Sequence, residues 1–274
     1  MSDAGGVRLR EIAAGVFVAR TEPLDVNVTL IVGDATALVV DTLSTEEQAR
    51  ALLAAVRAIT DRPLAVVNTH FHFDHCFGNA VLGAGAPIYA HPATIDELGA
   101  RGPAWQRRWH GEWVDTHPDL AAGLAAVTVR APDHPVRETE TLDLGGRGVT
   151  LSHPGPGHTP GDLVVHIPDA DVLVAGDLIE EGNPPDFTDA SPLDWPEAVA
   201  ALLRACGPAT KVVPGHGAVV GREFVSRQHA DLARLDWLIR DAHADGATVE
   251  SAASRGPFPP SVTRVAVTRG FAAL

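Results

Sequence analysis

The stretch Asn68–Asn79, NTHFHFDHCFGN, crowds His70, His72, Asp74 and His75 into six residues directly after the apolar run LAVV. Side chains at i and i+2 of an extended segment share a face, so His70 and His72 can reach one ion if the run leading into them is a strand. Asp74 and His75 would diverge on a strand. A chain turning into a helix would instead aim both at a second point nearby, which makes a two-ion site conceivable. A histidine-rich surface turn is the plainer alternative, and four donor-type side chains at this spacing weigh against it. Three later segments add donors directly after apolar runs: His158 in GPGHTPGD, Asp177 in VLVAGDL and His216 in VVPGHG. Loops at one end of a sheet converge while its strands stay buried, so these residues can meet the first cluster. Five histidines and two aspartates then supply the nitrogen and oxygen donors that zinc accepts, and a catalytic site would keep one position open for water.

The rest of the chain must build the frame that brings these donors together. From EIAAGVFVAR through VNVTLIVGDATALVVDT, apolar positions alternate and break at GD, which predicts strands joined by tight turns. Next, STEEQARALLAAVRAI carries a capping box, with Ser44 as the cap and Glu47 three residues on, and helical apolar spacing. LAVVNTH and the PIYA run around Tyr89 return to strand. Between 95 and 135 the pattern loosens into a possible lid, where Trp105, Trp109 and Trp113 stand four residues apart on one helical stripe. Such a stripe is ordinary amphipathic packing or an aromatic wall over a pocket for an apolar or acyl substrate. From Glu138 a second strand-rich run leads to a helix, DWPEAVAALLRAC, a strand, KVVPGHG, and a long helix from about Arg222 to His243. Strand and helix alternate throughout, so the expected class is layered α/β. The two halves, about 1–135 and 136–274, repeat one order of elements. No linker separates them, which predicts a single domain over 1–274.

Composition narrows the functions available. The 274 residues carry a formal charge of −14, and the one basic cluster, Arg107 and Arg108, sits among tryptophans. That balance repels phosphate backbones and leaves nucleic-acid binding without an electrostatic basis. The start of the chain lacks a signal-peptide pattern, and no segment has the apolar length of a membrane span. The expectation is a cytoplasmic protein acting on a small molecule, with no membrane partner. Cys76 and Cys206 are the only cysteines and predict no disulfide framework. Cys76 abuts the histidines and is a candidate thiol ligand, although a free cysteine is more often a small buried hydrophobe.

Taken together, HxHxDH followed by GHTPGD, AGDL and PGHG resembles the metallo-β-lactamase superfamily of binuclear hydrolases, over nearly the whole chain from Glu11 to about His243. The resemblance implies a four-layer αβ/βα sandwich with metals at the sheet edges. It assigns His70, His72 and His158 to one ion, Asp74, His75 and His216 to a second, and Asp177 to a bridge between them. Two divalent ions follow, Zn2+ first, with iron or manganese compatible with the same donors. Coordination brings the pKa of water toward about 7, so a bridging hydroxide becomes the nucleophile, while Asp74 orients it and carries a proton to the leaving group. Ligating imidazoles need partners that fix their tautomers. Asp41 is the best candidate, followed by Asn68, Thr69 and Asp162. His91, His110, His117, His134, His153, His166, His229 and His243 fall outside the motifs, and of these His153 is close enough to His158 in sequence to line the pocket.

Within that family, β-lactamases carry cysteine or serine where this chain has Asp177. The flavin-linked di-iron members replace the second histidine of the first motif, and nucleases act on a polyanion this acidic chain would repel. Hydrolysis of an ester, lactone or thioester is the expected activity. A mononuclear iron persulfide dioxygenase is the alternative from another reaction class, and a noncatalytic binding module is a third.

Overall fold

The computed structural model describes residues 7–274. The first half runs through β1 (Arg10–Ala13), β2 (Val16–Thr21), β3 (Val26–Val32), β4 (Ala37–Val40), α1 (Glu46–Ile59) and β5 (Leu64–Val67). Two single-turn helices follow, α2 (Phe73–Cys76) and α3 (Asn79–Leu82), then β6 (Ile88–Ala90), α4 (Pro92–Trp113), α5 (Pro118–Ala126) and β7 (His134–Pro135). The second half holds β8 (Thr139–Asp143), β9 (Gly148–Ser152), β10 (Val164–Ile167), β11 (Val172–Glu180), α6 (Trp195–Ala205), β12 (Lys211–His216) and β13 (Val220–Gly221). It ends in α7 (Arg222–Ala244), α8 (Val249–Ala253) and α9 (Pro260–Ala273).

The strands make one mixed sheet in two wings. One wing is β7-β6-β5-β4-β3 with β2 and β1, and the other is β12-β11-β10-β9-β8 with β13. They join where β3 meets β12, at the register pair His216↔Val26. Alternation along each strand explains why the wings stack. Leu38, Val40, Ala65 and Val67 of the first wing meet Val165, Ile167, Val172 and Val174 of the second in a shared core. Their neighbours Val39 and Val66 turn the other way, onto Leu52 and Val56 of α1. In the second wing Leu173, Ala175 and Val212 pack on α6 and α7 through Val199, Leu202, Leu232 and Leu235. Strands that are apolar on both faces need a layer on each side, and the result is the four-layer αβ/βα sandwich.

Two local expectations change. The cap of α1 is Thr45 rather than Ser44: the Thr45 hydroxyl accepts from Gln48 N at 3.2 Å, and Gln48 Oε1 accepts from Ser44 N at 3.2 Å. The box therefore closes through Gln48 rather than Glu47, one residue later, in a frame that keeps Ala49, Leu52 and Val56 on the buried face. The segment with no clear period is also ordered, as the 22-residue α4 and then α5. Gly99, Gly102, Pro103 and Gly111 interrupt the apolar spacing of α4 in sequence. Packing of Leu98, Trp105 and Trp109 against Phe71, Phe73 and Phe77 supplies what propensity lacks. No helix among the described residues is long and apolar enough to cross a membrane. The start of the chain, where the signal pattern was sought, lies partly outside the described residues.

Candidate metal centre

All seven donor residues meet at one edge of the sandwich. His70 and His72 lie just past β5, and His72 is extended (φ −66, ψ 148) as the residue that opens α2. Asp74 and His75 sit in the single turn of α2, so the chain does bend into a helix between the two pairs. His158 comes from the β9–β10 loop, Asp177 from β11 and His216 from the end of β12. β11 is irregular on both sides of Gly176, whose left-handed backbone (φ +53) lets the strand re-aim the residue that follows it.

The donor atoms fall into two groups. His70, His72, His158 and Asp177 each place one within 4.8 Å of the others, and Asp74, His75 and His216 do the same. Asp177 stands between the groups. Its Oδ2 lies 3.6 Å from His70 Nε2, 3.5 Å from His158 Nε2 and 3.4 Å from His216 Nε2, while Oδ1 lies 3.3 Å from His75 Nε2.

For His70, His72, His75 and His216 the far nitrogen explains why the ring faces inward. Asp41 Oδ2 takes a bond from His75 Nδ1 at 2.8 Å and another from the Thr69 hydroxyl at 2.8 Å, and Thr69 Oγ1 is 3.0 Å from His70 Nδ1. With the hydroxyl proton given to Asp41, Thr69 is left to accept from His70, so one carboxylate orients a ring in each group. His216 Nδ1 donates to Leu24 O at 2.8 Å, and His72 Nε2 lies 3.3 Å from Asp189 Oδ2. Asp41 also accepts from Thr69 N at 2.8 Å and sits in the left-handed region (φ +67), a conformation that aspartate tolerates better than most residues.

The electrostatics fit a cation. Burial lowers His70 well below the ordinary range and holds His158 near about 4, with Asp177 opposing in both cases. Burial acts against a charge on His75 and His216 as well, yet Asp177 and Asp74 raise both well above it. The two buried carboxylates thus favour positive charge at the second group. His70 Nε2 and Asp177 Oδ1 are buried and lack any hydrogen-bond partner among the described residues. A buried imidazole nitrogen and a buried carboxylate oxygen without partners are costly, and divalent ions held by the two groups would satisfy them.

His72, Asp74, His158, Asp177 and His216 line an open cleft of about 450 Å³, while His70 and His75 are fully buried. Leu24, Phe73, Trp109 and Trp113 add an apolar part to the cleft's lining, and Asn183, Asp186, Thr188 and Asp189 a polar part, together with Glu112 and Arg108, whose guanidinium lies 3.8 Å from Asp189 Oδ2. Trp105 is not in the lining. It stacks on Trp109 with ring centroids 5.2 Å apart, and its indole N–H reaches Glu97 at 3.0 Å, which makes it part of the support behind Trp109. His153 is also elsewhere, just past β9, stacked on His91 at 4.1 Å with Nδ1 bonded to Asp162 O at 2.8 Å. Neither Asn68 nor the Asp162 carboxylate bonds an imidazole of the two donor groups. Asn68 bonds His75 O at 3.1 Å and Asn79, and Asp162 takes the Thr159 N–H and hydroxyl, so each fixes the backbone of a donor segment.

Cys76 donates to Phe71 O at 3.2 Å within the aromatic cluster, and burial pushes its thiol well up. Cys76→Ser keeps that bond, so metal content should match the wild type with only a small loss in melting temperature. A large loss of metal on elemental analysis would make the thiol a ligand.

Sequence reasoning missed Asp189 and Glu180. Asp189 is 117 residues from His72 in a loop without a motif. Glu180, three residues past Asp177, lies buried 3.6 Å from His158 Nδ1, and that burial and Asp177 raise its carboxyl well above the usual range. Its closeness to the AGDL motif was the available signal.

Comparison with known proteins gives consistent results. A profile described as "Metallo-beta-lactamase superfamily" matches residues 21–216. The chain is 29% identical to the acyl-coenzyme A thioesterase MBLAC2 of Gallus gallus over 73% of this chain and 76% of that one. It is 31% identical to the human protein of the same name, over 61% of this chain and 60% of that one. Identity is 31% to a linear primary-alkylsulfatase of a Pseudomonas species, over 69% of this chain and 41% of that one. Among solved structures, a metallo-beta-lactamase from Pontibacter korlensis superposes with a TM-score of 0.65 at 21% identity, covering 83% of this chain and 99% of that one.

Proposed function

The chain belongs to the metallo-β-lactamase superfamily, and on that premise we propose a metallo-hydrolase that holds two divalent ions, zinc first, and cleaves an ester, lactone or thioester with an apolar acyl group. One observation carries this reading: two donor groups lie on either side of Asp177, and five of their seven residues line a cleft that Trp109 and Trp113 also line. His70, His72 and His158 would hold one ion, Asp74, His75 and His216 the other, and Asp177 both. Bound there, the ions would supply an activated water and a Lewis acid for the carbonyl oxygen.

The side chains do the remaining work. Asp74 lines the cleft with Oδ2 3.3 Å from His216 Nε2, and His75 and His216 lower its pKa despite burial. It stays an anion that can accept a proton and pass it to the leaving group. The tryptophan wall buries the acyl portion, and the polar part of the lining meets the leaving group. The convergence of a second full donor group favours hydrolysis over a single-iron oxygenation. A thioester is placed first because two of the relatives are thioesterases by name.

The test is a matched series of acyl thioesters and aryl esters with purified protein of measured metal content. Metal-dependent release of thiol is expected. One iron per chain, with oxygen uptake on a persulfide and no hydrolysis, would overturn the reading. The wall supplies a further prediction. Trp113 is partly exposed and lines the cleft, whereas Trp109 is 5% exposed and packs on Phe73 and Phe77 as well. Trp113→Ala should therefore raise KM for long acyl groups over acetyl by roughly tenfold, from about 1 to 3 kcal/mol of lost apolar contact, with a small change in melting temperature. Equal effects on every acyl length would remove Trp113 from the acyl site.

A further inference from the structure

The chain beyond His216 lies outside the family match, yet it touches the loop that supplies the polar lining of the cleft. Arg269, half-buried on α9, donates Nε to Ala190 O at 2.6 Å and a second N–H to Thr188 O at 2.8 Å. Phe258, just before α9, packs on Phe187 in the same loop with ring centroids 5.7 Å apart. Between these anchors is Asp189, with Oδ2 3.3 Å from His72 Nε2. α9 is in turn fixed to the second wing's core by Ala266 and Val267, both fully buried.

His72 and His158 are the two rings that neither Asp41 nor a backbone carbonyl holds, and of these His72 has a hydrogen-bond partner, Asp189, whereas His158 Nδ1 has none among the described residues. His70 and His75 are held through Asp41, a buried residue beside β4, and His216 by the backbone of Leu24. The His72 side chain is 12% exposed, and its partner sits on a loop that has no strand or helix of its own. A guanidinium spanning the carbonyls on either side of Asp189 fixes both neighbouring peptides at once, because its donors form a rigid planar fork.

We propose that α9 is a working part of the metal centre: Arg269 sets the Thr188–Ala190 backbone, that backbone aims Asp189, and Asp189 turns His72 so that Nδ1 faces His70, His158 and Asp177. Arg269 is thus a positioning residue for one of the two ions. The inference rests on the two-ion reading above.

The experiment follows metal retained per chain against a graded chelator, with no substrate present. Arg269→Ala should weaken one ion by about 10- to 100-fold, the scale for partners of metal ligands, and leave the other in place. Arg269→Lys, which keeps the charge without the fork, should behave like Arg269→Ala. The double variant Arg269→Ala/Asp189→Ala should lose no more affinity than Asp189→Ala alone, since groups acting in series are not additive. Should Arg269→Ala fail to fold, Asp189→Ala, at a partly exposed loop position, must still lose the same single ion. Equal weakening of both ions alongside a fallen melting temperature would reduce Arg269 to packing. Wild-type resistance to the chelator in Asp189→Ala would overturn the proposal while leaving the hydrolase reading intact. A wild-type chain that takes up no divalent ion would overturn that reading first.

Discussion

Asp177→Asn is expected to yield a folded chain that keeps less than half the normal metal and turns over at least about a hundredfold more slowly. Losing a hydrogen-bond partner of a metal ligand already costs roughly 10- to 100-fold, and Asp177 faces both donor groups directly, so its removal should cost more. The substitution removes one negative charge where His75 and His216 rely on it for their raised pKa values. It also turns one oxygen into an N–H donor beside His70 Nε2, His158 Nε2 and His216 Nε2. Those nitrogens can accept from an amide or bind an ion, but not both. Elemental analysis, melting temperature and a progress curve on one thioester decide the case. Normal metal content with a normal rate would sink the two-ion mechanism, whereas loss of folding would show only that the carboxylate is structural.

The meeting of the seven side chains was legible because their types are rare together and stand in or close after apolar strands that lead to one edge of the sheet. Asp41 was legible for a related reason: it closes the strand ALVVDT, and a carboxylate there can turn only toward the neighbouring strand ends. The partner of His72 was not. Loop geometry decides which carboxylate reaches an imidazole, and the loop holding Asp189 is shaped by Arg269, 80 positions further on. The tryptophan stripe shows the same limit from the other side. Spacing placed Trp105, Trp109 and Trp113 on one face of a helix, but that face is wide enough for Trp105 to be backing, Trp109 both backing and wall, and Trp113 wall. Periodicity gives the face, and the neighbouring loops decide which part of it stays open.

The PGHG motif carries the second large effect. Gly215 lies on β12, parallel to β11, where Gly176 pairs with Pro214 and Glu180 with His216. A Cβ added at Gly215 would land on the Asp177 carboxylate, with the Asp177 backbone nitrogen 3.0 Å away. The glycine is there to give Asp177 room to cross to the donor groups, not to permit an unusual backbone. In Gly215→Ala either the carboxylate swings out of the site or the two strands part, and the second course would also displace His216. Metal retention should fall to the level of Asp177→Asn, with overpacking lowering stability by about 1 to 3 kcal/mol in addition. Combining the two substitutions separates the routes. If Gly215 acts by making space for Asp177, Gly215→Ala/Asp177→Asn should retain as much metal as Asp177→Asn alone. A double variant markedly poorer in metal would mean that β12 had moved and taken His216 with it, and full metal content in Gly215→Ala would show that the carboxylate reaches the site by another path.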